Sequence, residues 1–176
     1  MSYNLLILES KAKCGKIEQM LGSKYKCLAS LGHILELEPG LEAIDKCNNF
    51  NPKYQIISSK KALISQLRQS SKNAELVYLA SDPDREGEAI AKHLQDILNI
   101  PKKKLRRITF NEITKKAIEN AINNPREIDI DLYNAQTARR VLDRLYGFEI
   151  SPLLWKHITK GLSAGRCQSP GLEILC

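Results

Sequence analysis

The stretch that decides the fold runs from Leu79 to Ala91 and reads LASDPDREGEAIA. The apolar run over residues 76–80 that leads into it predicts a buried strand. Pro83 ends that strand, because proline cannot lie within a central strand. Apolar residues at helical spacing follow at once and predict a helix. Three carboxylates therefore fall where a strand gives way to a helix, those of Asp82, Asp84 and Glu86.

Carboxylates at such a turn have two physical explanations, and the residues alone leave both open. Two carboxylates about 4 Å apart repel by roughly 4 kcal/mol at an effective dielectric near 20, and a divalent cation removes that cost. Oxygen ligands suit Mg²⁺, and ligands of open α/β sheets gather beyond the carboxyl ends of the strands. Alternatively, Asp82 or Asp84 caps the helix, and the helix dipole favours Glu86 and Glu88 in its first turn.

The composition bounds the class of protein. The 176 residues are enough for one domain with a good core, or for one domain plus part of a second. Residues 1–100 carry 13 Lys/Arg and 12 Asp/Glu, whereas residues 101–176 carry 14 and 8, so the excess positive charge lies in the second part. Such a basic segment suggests a polyanion as partner.

The cysteines and the apolar runs bound the compartment. The five cysteines are spread along the chain without a C-x-x-C pair, which argues against a disulfide scaffold and a zinc site. Reduced cysteines in an intracellular protein are the simplest interpretation. The opening apolar run, residues 5–8, is too short for a signal peptide or a membrane span.

Strand and helix patterns alternate along the first part of the chain. Short apolar runs predict strands over residues 4–8, 25–31, 54–58, 76–80 and 105–110. Helical spacing predicts helices between them, with Ser10 and Asn111 as candidate caps and Gly22 as a stop. This order predicts an α/β fold with a mainly parallel sheet flanked by helices, and residues 38–53 look irregular. The absence of G-x-G-x-x-G and G-x-x-x-x-G-K-[ST] disfavours dinucleotide-binding and P-loop enzymes.

Four strings of the chain resemble the Toprim domain of type IA DNA topoisomerases. They are DPDREGEAIA at residues 82–91, LES at 8–10 with Lys13 shortly after, GHI at 32–34, and RITFNEIT at 107–114. Lys11 departs from the family, which usually has proline there. The resemblance implies that Asp82, Asp84 and Glu86 hold Mg²⁺, with His33 near the active centre. It also implies that Glu9 exchanges a proton with the sugar hydroxyl and that Lys13 touches the scissile phosphate.

A different pattern begins near residue 128, where helical spacing predicts a long helix. Arg139 and Asp143 form an opposite-charge i,i+4 pair on its polar face, whereas Arg140 and Arg144 form a like-charge pair that is unfavourable unless an anion lies between them. One explanation is an ordinary solvated surface, on which an ion pair contributes little. The other is a face that binds phosphate, since guanidinium groups grip phosphate bidentately.

Three strings of this second part resemble the start of the DNA-groove domain of the same family. They are AQTARRVLDRL at residues 135–145, followed by SPLLW at 151–155, and KGLSAGRCQS at residues 160–169. Phe148 stands where relatives often have a tyrosine beside a bound base, and Pro170 departs from the usual apolar residue. The resemblance implies a set of residues that contact DNA: His33, Arg139, Arg140, Asp143, Arg144, Phe148, Gly165, Arg166, Gln168 and Ser169.

The resemblance implies an ATP-independent enzyme that cuts one DNA strand through a 5′-phosphotyrosine link. None of the six tyrosines lies in anything like the family's nucleophile motif. We therefore expect an amino-terminal piece, with a Toprim domain over residues 1–127 and the start of the DNA-groove domain over residues 128–176. The piece should bind Mg²⁺ and not relax supercoils by itself.

The expected setting follows from the same resemblance. The expected partner is a single-stranded segment of negatively supercoiled DNA, and we expect no association with a membrane. We expect a monomer in the cytoplasm, in the nucleoid or another compartment that contains DNA. The alternatives are another Toprim enzyme, such as a primase or nuclease, and a non-catalytic nucleic-acid-binding module.

Overall fold

The computed structural model describes residues 3–176, in which strands and helices alternate over the first part of the chain. The strands are β1 (Asn4–Leu8), β2 (Tyr25–Ala29), β3 (Leu35–Leu37), β4 (Ile44–Asp45), β5 (Asn51–Pro52), β6 (Tyr54–Ile56), β7 (Val77–Ala80) and β8 (Leu105–Arg107). The α-helices are α1 (Cys14–Leu21), α2 (Lys61–Asn73), α3 (Arg85–Leu98), α4 (Lys115–Asn123), α5 (Ile130–His157) and α6 (Gln168–Leu175).

The central sheet has the strand order β2-β1-β7-β8, and every neighbouring pair is parallel. Leu8 at the end of β1 lies beside Ala29 of β2 and beside Ala80 of β7. The carboxyl ends of these strands therefore meet at one edge of the sheet. The predicted α/β class with a parallel sheet is confirmed.

The two faces of the sheet are covered by different helices, because side chains alternate along a strand. Leu5 and Ile7 of β1 face a core to which α2 and α3 contribute, among others, Leu67 and Leu94. Leu6 and Leu8 of β1 point the other way, toward a core that includes Ile17 of α1 and Ile118 of α4. Both faces of β1 are buried, which explains its continuous apolar run.

The described chain forms two compact units, and the second is not continuous in sequence. One unit extends to Glu36 and continues over Ile56–Asn134, and the other consists of Leu37–Gln55 and Ala135–Cys176. In the second unit, Leu37 and Ile44 share a small core with Val141 of α5. The sequence patterns did not indicate that residues 37–55 pack with α5. The predicted domain boundary near residue 128 stays a prediction.

Two predicted helix caps are wrong. Asn111 does not cap α4, because Thr114 occupies that position and its Oγ1 accepts a hydrogen bond from Ala117 N at 3.3 Å. Ser10 stands at the cap position of a single 3₁₀ turn, Lys11–Lys13, but its side chain makes no capping bond. The helix predicted to stop at Gly22 does end there, with Gly22 at a φ of 77°.

The long helix predicted beyond residue 128 is α5, which continues through Pro152 to His157. Pro170 lies in the first turn of α6, where a missing backbone N–H costs little. A helix both long and apolar enough to cross a bilayer is not found in residues 3–176.

Candidate active site at the carboxyl edge of the sheet

Two strand–helix turns meet at the edge where β1 and β7 end. Glu9 follows β1 directly, and Asp82 comes two residues after β7. Because β1 and β7 are adjacent and parallel, both turns emerge on the same edge. Lys13 joins them, since its Nζ lies 3.0 Å from Oδ1 of Asp82. We call Glu9, Lys13, Asp82, Asp84 and Glu86 the acid corner.

Each carboxylate that the sequence singled out at β7 has a protein partner. Oδ1 of Asp84 accepts from Gly87 N at 2.7 Å and so caps α3, as the capping interpretation predicted. Oε2 of Glu86 lies 2.8 Å from Nε2 of His33, which places the imidazole at the acid corner. Asp82 is paired with Lys13. Asp84 thus stabilises the first turn of α3, whereas the side chains of Asp82 and Glu86 remain partly exposed.

The pKa of Glu9 reports the charge of the acid corner. Burial raises it first, and the negative charges of Asp82 and Asp84 raise it further. The Lys13 ammonium opposes this rise without cancelling it. The acid corner therefore carries more negative charge than its own cation neutralises.

The donor chemistry of the acid corner fits Mg²⁺. Its ligand atoms are carboxylate oxygens, the type that Mg²⁺ prefers, and the side chains of Asp82 and Glu86 are 49% and 44% exposed. Among residues 3–176, no three His, Cys, Asp or Glu side chains converge closely enough to hold a metal ion directly. Binding would therefore exchange the contacts of Asp82 with Lys13 and of Glu86 with His33 for contacts with the ion and its waters.

A cavity of about 390 Å³ adjoins the acid corner. Lys13, Asp82 and Pro83 form part of its wall, and residues 110–113 form the rest. Its volume is in the range of small-ligand sites. Phe110 and Asn111 belong to a string that resembles the family, but the sequence analysis did not select them as site residues.

The sequence analysis also missed a buried ion pair behind the acid corner. Glu88 and Arg107 are 0% and 1% exposed, and Nη2 of Arg107 lies 2.6 Å from Oε1 of Glu88. Arg107 also donates to the main-chain oxygens of Ser81 and Asp82. One signal pointed to Glu88, which stands next to the buried residues Ala89 and Ile90, where an acid is out of place unless it is paired.

In the second unit, a set of cationic side chains lines α5 and the segment after it. Asp143 forms ion pairs with two arginines. Nε of Arg166 lies 2.5 Å from Oδ1 of Asp143, and Nε of Arg139 lies 3.8 Å from Oδ2. The interaction with Asp143 raises the pKa of Arg166. We call these four arginines, together with the carboxylate that pairs with two of them, the arginine face: Arg139, Arg140, Arg144, Arg166 and Asp143.

Arg144 is held by main-chain oxygens, which explains how the like-charge pair with Arg140 is tolerated. Its Nη1 donates to Glu38 O at 2.9 Å and to Gly40 O at 3.0 Å. Its guanidinium carbon lies 5.0 Å from the centre of the Phe148 ring. The main-chain carbonyls of Glu38 and Gly40 and the ring of Phe148 thus stabilise the Arg144 guanidinium without a bound anion.

The segment over residues 160–169 is fixed by bonds within its own unit. Ala164 N donates to Ser151 Oγ at 2.9 Å. Gly165 O accepts from the backbone N–H groups of Gln168 at 2.9 Å and of Ser169 at 3.2 Å. Tyr146 OH lies 3.4 Å from Ser169 Oγ. Arg166 therefore projects from a turn that α5 anchors.

The comparisons with known proteins agree with this geometry. Residues 4–113 match the family described as Toprim domain, and residues 127–176 match the family described as DNA topoisomerase. The sheet and the acid corner thus lie within the residues that match the Toprim domain.

The solved structure of full-length topoisomerase I from Thermotoga maritima is similar to this chain, with 42% identity and a TM-score of 0.87. The match covers 98% of this chain and 29% of that topoisomerase. The chain belongs to the Toprim domain family, and the resemblance to type IA DNA topoisomerases stated from its motifs is confirmed.

Proposed function

We propose that the chain supplies the cation site and part of the DNA groove of an enzyme that changes DNA topology. The observation that carries the proposal is the contact of 3.0 Å between Lys13 and Asp82, which joins the two turns of the acid corner in a chain of this family. The chain spans 29% of the length of the Thermotoga topoisomerase, and the nucleophilic tyrosine would lie in the part of such an enzyme outside these residues.

Asp82, Asp84 and Glu86 would hold Mg²⁺ through their carboxylate oxygens. When bound, the ion supplies positive charge that offsets the phosphate and orders the acid corner. Release of Lys13 from Asp82 frees an ammonium to stabilise negative charge that develops on the scissile phosphate. Until the ion binds, His33 holds Glu86 at the acid corner through the contact of 2.8 Å.

Glu9 is suited to proton transfer because its pKa is raised toward the working pH. The tyrosine phenolate of the enzyme attacks the phosphorus, the bond from phosphorus to the 3′-oxygen breaks, and Glu9 gives its proton to that oxygen. On religation the carboxylate takes the proton back as the 3′-oxygen attacks the phosphotyrosine. The bond energy is conserved in the phosphotyrosine, so no ATP is consumed.

The arginine face and the segment over residues 160–169 would bind a single DNA strand. Guanidinium groups bind phosphate bidentately, and Phe148, a residue that is 48% exposed, offers an aromatic surface for a base beside Arg144. The residues proposed to contact DNA are Arg139, Arg140, Asp143, Arg144, Phe148, Gly165, Arg166, Gln168 and Ser169. We further propose that the enzyme acts as a monomer on negatively supercoiled DNA, away from membranes.

The test uses an enzyme of the length of the Thermotoga relative that carries this chain. A single-stranded oligonucleotide labelled at its 3′ end should become covalently linked to the protein in Mg²⁺, and supercoiled plasmid should be relaxed without ATP. Asp82→Asn with Asp84→Asn should abolish the Mg²⁺-dependent relaxation, whereas Glu75→Gln, an exposed acid away from the corner, should not.

Three results would contradict the proposal. Strand cleavage without a covalent link would point to a nuclease or primase that uses the same acids. Relaxation by the 176-residue chain alone would show that it needs no tyrosine from elsewhere. Unchanged activity in the double variant would leave a nucleic-acid-binding module with capped acidic turns as the better interpretation.

A further inference from the structure

The main chain of the acid corner is held from behind by one guanidinium. Nη1 of Arg107 donates to Leu79 O at 3.1 Å and to Ser81 O at 2.7 Å, and Nη2 donates to Asp82 O at 3.0 Å. Nη1 also donates to Ile108 O at 2.8 Å. β7 ends at Ala80, so the carbonyls of Ser81 and Asp82 lie beyond the strand, whereas Leu79 O also accepts from Ile108 N at 3.0 Å. Arg107 thus takes over where the sheet stops holding the chain.

Glu88 keeps Arg107 in this position. Its Oε1 accepts from Nε of Arg107 at 3.2 Å and from Nη2 at 2.6 Å, and it also receives Nη2 of Arg126. Its Oε2 accepts from Asp129 N at 3.0 Å. Burial raises the pKa of Glu88, but the bonds from the two arginines outweigh burial and hold it below its ordinary value. Both carboxylate oxygens thus accept hydrogen bonds, and two of the bonds to Oε1 come from Arg107 itself.

Stability alone does not account for this pair. A buried ion pair is often no more stabilising than apolar side chains of similar volume, because desolvation of both charges offsets their attraction. An apolar pair would fill the space between β8 and α3 equally well. It would not donate to the oxygens of Ser81 and Asp82. The distinctive property of the guanidinium here is geometric.

We propose that Arg107 and Glu88 are positioning residues for the cation site, because they fix the main chain from which the Asp82 carboxylate extends. This inference rests on the proposed function, in which Asp82 is a Mg²⁺ ligand. Asp82 has only two side-chain torsions, so the position of its carboxylate follows the position of its backbone. Outer partners that orient metal ligands typically contribute 10–100-fold to affinity.

Loss of these positioning contacts should change the affinities for Mg²⁺ and Ca²⁺ to different extents. Mg²⁺ demands near-ideal octahedral geometry, whereas Ca²⁺ tolerates irregular and larger coordination shells. A looser backbone at Asp82 therefore lowers the affinity for Mg²⁺ much more than the affinity for Ca²⁺. A residue pair that served only to stabilise the fold would not change the ratio of the two affinities in a folded protein.

The experiment is calorimetric titration of MgCl₂ and of CaCl₂ into the 176-residue chain and its variants. Arg107→Lys keeps the charge but cannot reach the same set of oxygens, and Glu88→Gln removes the anion that holds the guanidinium. Arg106→Lys is the matched control, since Arg106 is the neighbouring arginine and donates to Lys103 O and Leu105 O, away from the acid corner. Circular dichroism and thermal melting without metal establish that each variant is folded.

We expect at least a tenfold loss of Mg²⁺ affinity for Arg107→Lys and for Glu88→Gln, a loss of less than threefold for Ca²⁺, and no change for Arg106→Lys. Arg107→Met with Glu88→Leu, which replaces both charges by apolar groups, should fold and show the same loss. That double variant carries the test if a single variant does not fold.

Unchanged Mg²⁺ affinity in a folded variant would overturn the inference, and so would equal losses for both ions. A wild-type chain that bound no Mg²⁺ would instead overturn the proposed cation site itself.

Discussion

The acid corner and the arginine face both depend on arginine–carboxylate contacts, but in opposite surroundings. Behind the acid corner, the Arg107 and Glu88 side chains are 1% and 0% exposed. On the arginine face, Arg166 and Asp143 are 30% and 47% exposed at a similar distance. Water replaces a lost partner at the exposed pair, whereas nothing replaces it at the buried pair. The buried pair therefore fixes geometry, and the exposed pair leaves its guanidinium able to exchange the carboxylate for a phosphate.

Removing the carboxylate from each pair tests this contrast, and we expect the largest effect of all from Glu88→Ala. It leaves Arg107 and the Asp129 N–H without their acceptor, and breaking a buried pair typically costs about 3–5 kcal/mol. Urea unfolding of the two variants gives the free energies. Asp143→Ala should leave the unfolding free energy nearly unchanged, because both partners are reached by water. A comparable loss for both variants would contradict the contrast.

Gly87→Ala should disturb the acid corner from the other side. A Cβ on Gly87 would lie 2.0 Å from Asp82 O, an oxygen that Arg107 holds in place. Overpacking of this kind typically costs about 1–3 kcal/mol. Gly15→Ala in α1 is the matched control, since a Cβ there meets nothing within 4 Å. That change should be neutral or stabilising by up to about 1 kcal/mol in thermal or urea unfolding. Tolerance of Gly87→Ala would show that the corner is not rigid.

The raised pKa of Glu9 predicts a smaller effect that depends on pH. The ionised form is disfavoured in the folded state, so Glu9→Gln should stabilise the metal-free protein at neutral pH. Below the ordinary pKa of 4.5 the side chain is neutral in both states, and the difference should vanish. It should grow as the pH rises from 4.5 through the raised value and then level off. Thermal melts from pH 4 to 8 measure it, with Glu75→Gln as control.

Added Mg²⁺ should shrink this difference, because the ion removes the repulsion that disfavours the Glu9 carboxylate and leaves only the effect of burial. A Glu9→Gln variant that is less stable than wild type without metal would contradict the account of crowded negative charge.

The cysteines give the smallest and most local comparison of the two units. Cys14 and Cys27 are buried in the first, whereas Cys47, Cys167 and Cys176 are exposed in the second. Burial raises the pKa of Cys27 to about 12, so roughly one such thiol in ten thousand is ionised at pH 8. Ellman's reagent at pH 8 should label three thiols quickly and the other two only in urea. Rapid labelling of Cys27 would show that the first unit opens readily.

The part of this molecule that local patterns govern could be predicted from its sequence. The strand before Asp82 and the helix after it follow from the apolar run and the helical spacing, and the cap at Asp84 follows from its position. The placement of Glu9 beside Asp82 was implied by the family resemblance. In physical terms it requires that β1 and β7 be neighbours, which is a property of the strand order and not of either segment.

Long-range partners could not be predicted in this way. Glu88 and Arg107 are nineteen residues apart, and no local pattern pairs a particular acid with a particular arginine. The Arg144 guanidinium donates to the main-chain oxygens of Glu38 and Gly40, which lie more than a hundred residues earlier in the chain. Its spacing from Arg140 on α5 therefore did not reveal these partners. Asn111 was a plausible cap, but Thr114 lies where the backbone turns into the helix.

The central claim is that the ends of β1 and β7 form one site for a divalent cation. Mn²⁺ titrated into the ¹⁵N-labelled chain tests it most directly, because the paramagnetic ion broadens the amide signals nearest to it. We predict that the signals of Glu9 and of residues 82–87 broaden first, and that Asp82→Asn with Asp84→Asn abolishes the effect. Broadening that begins elsewhere, or that survives in the double variant, would contradict the account.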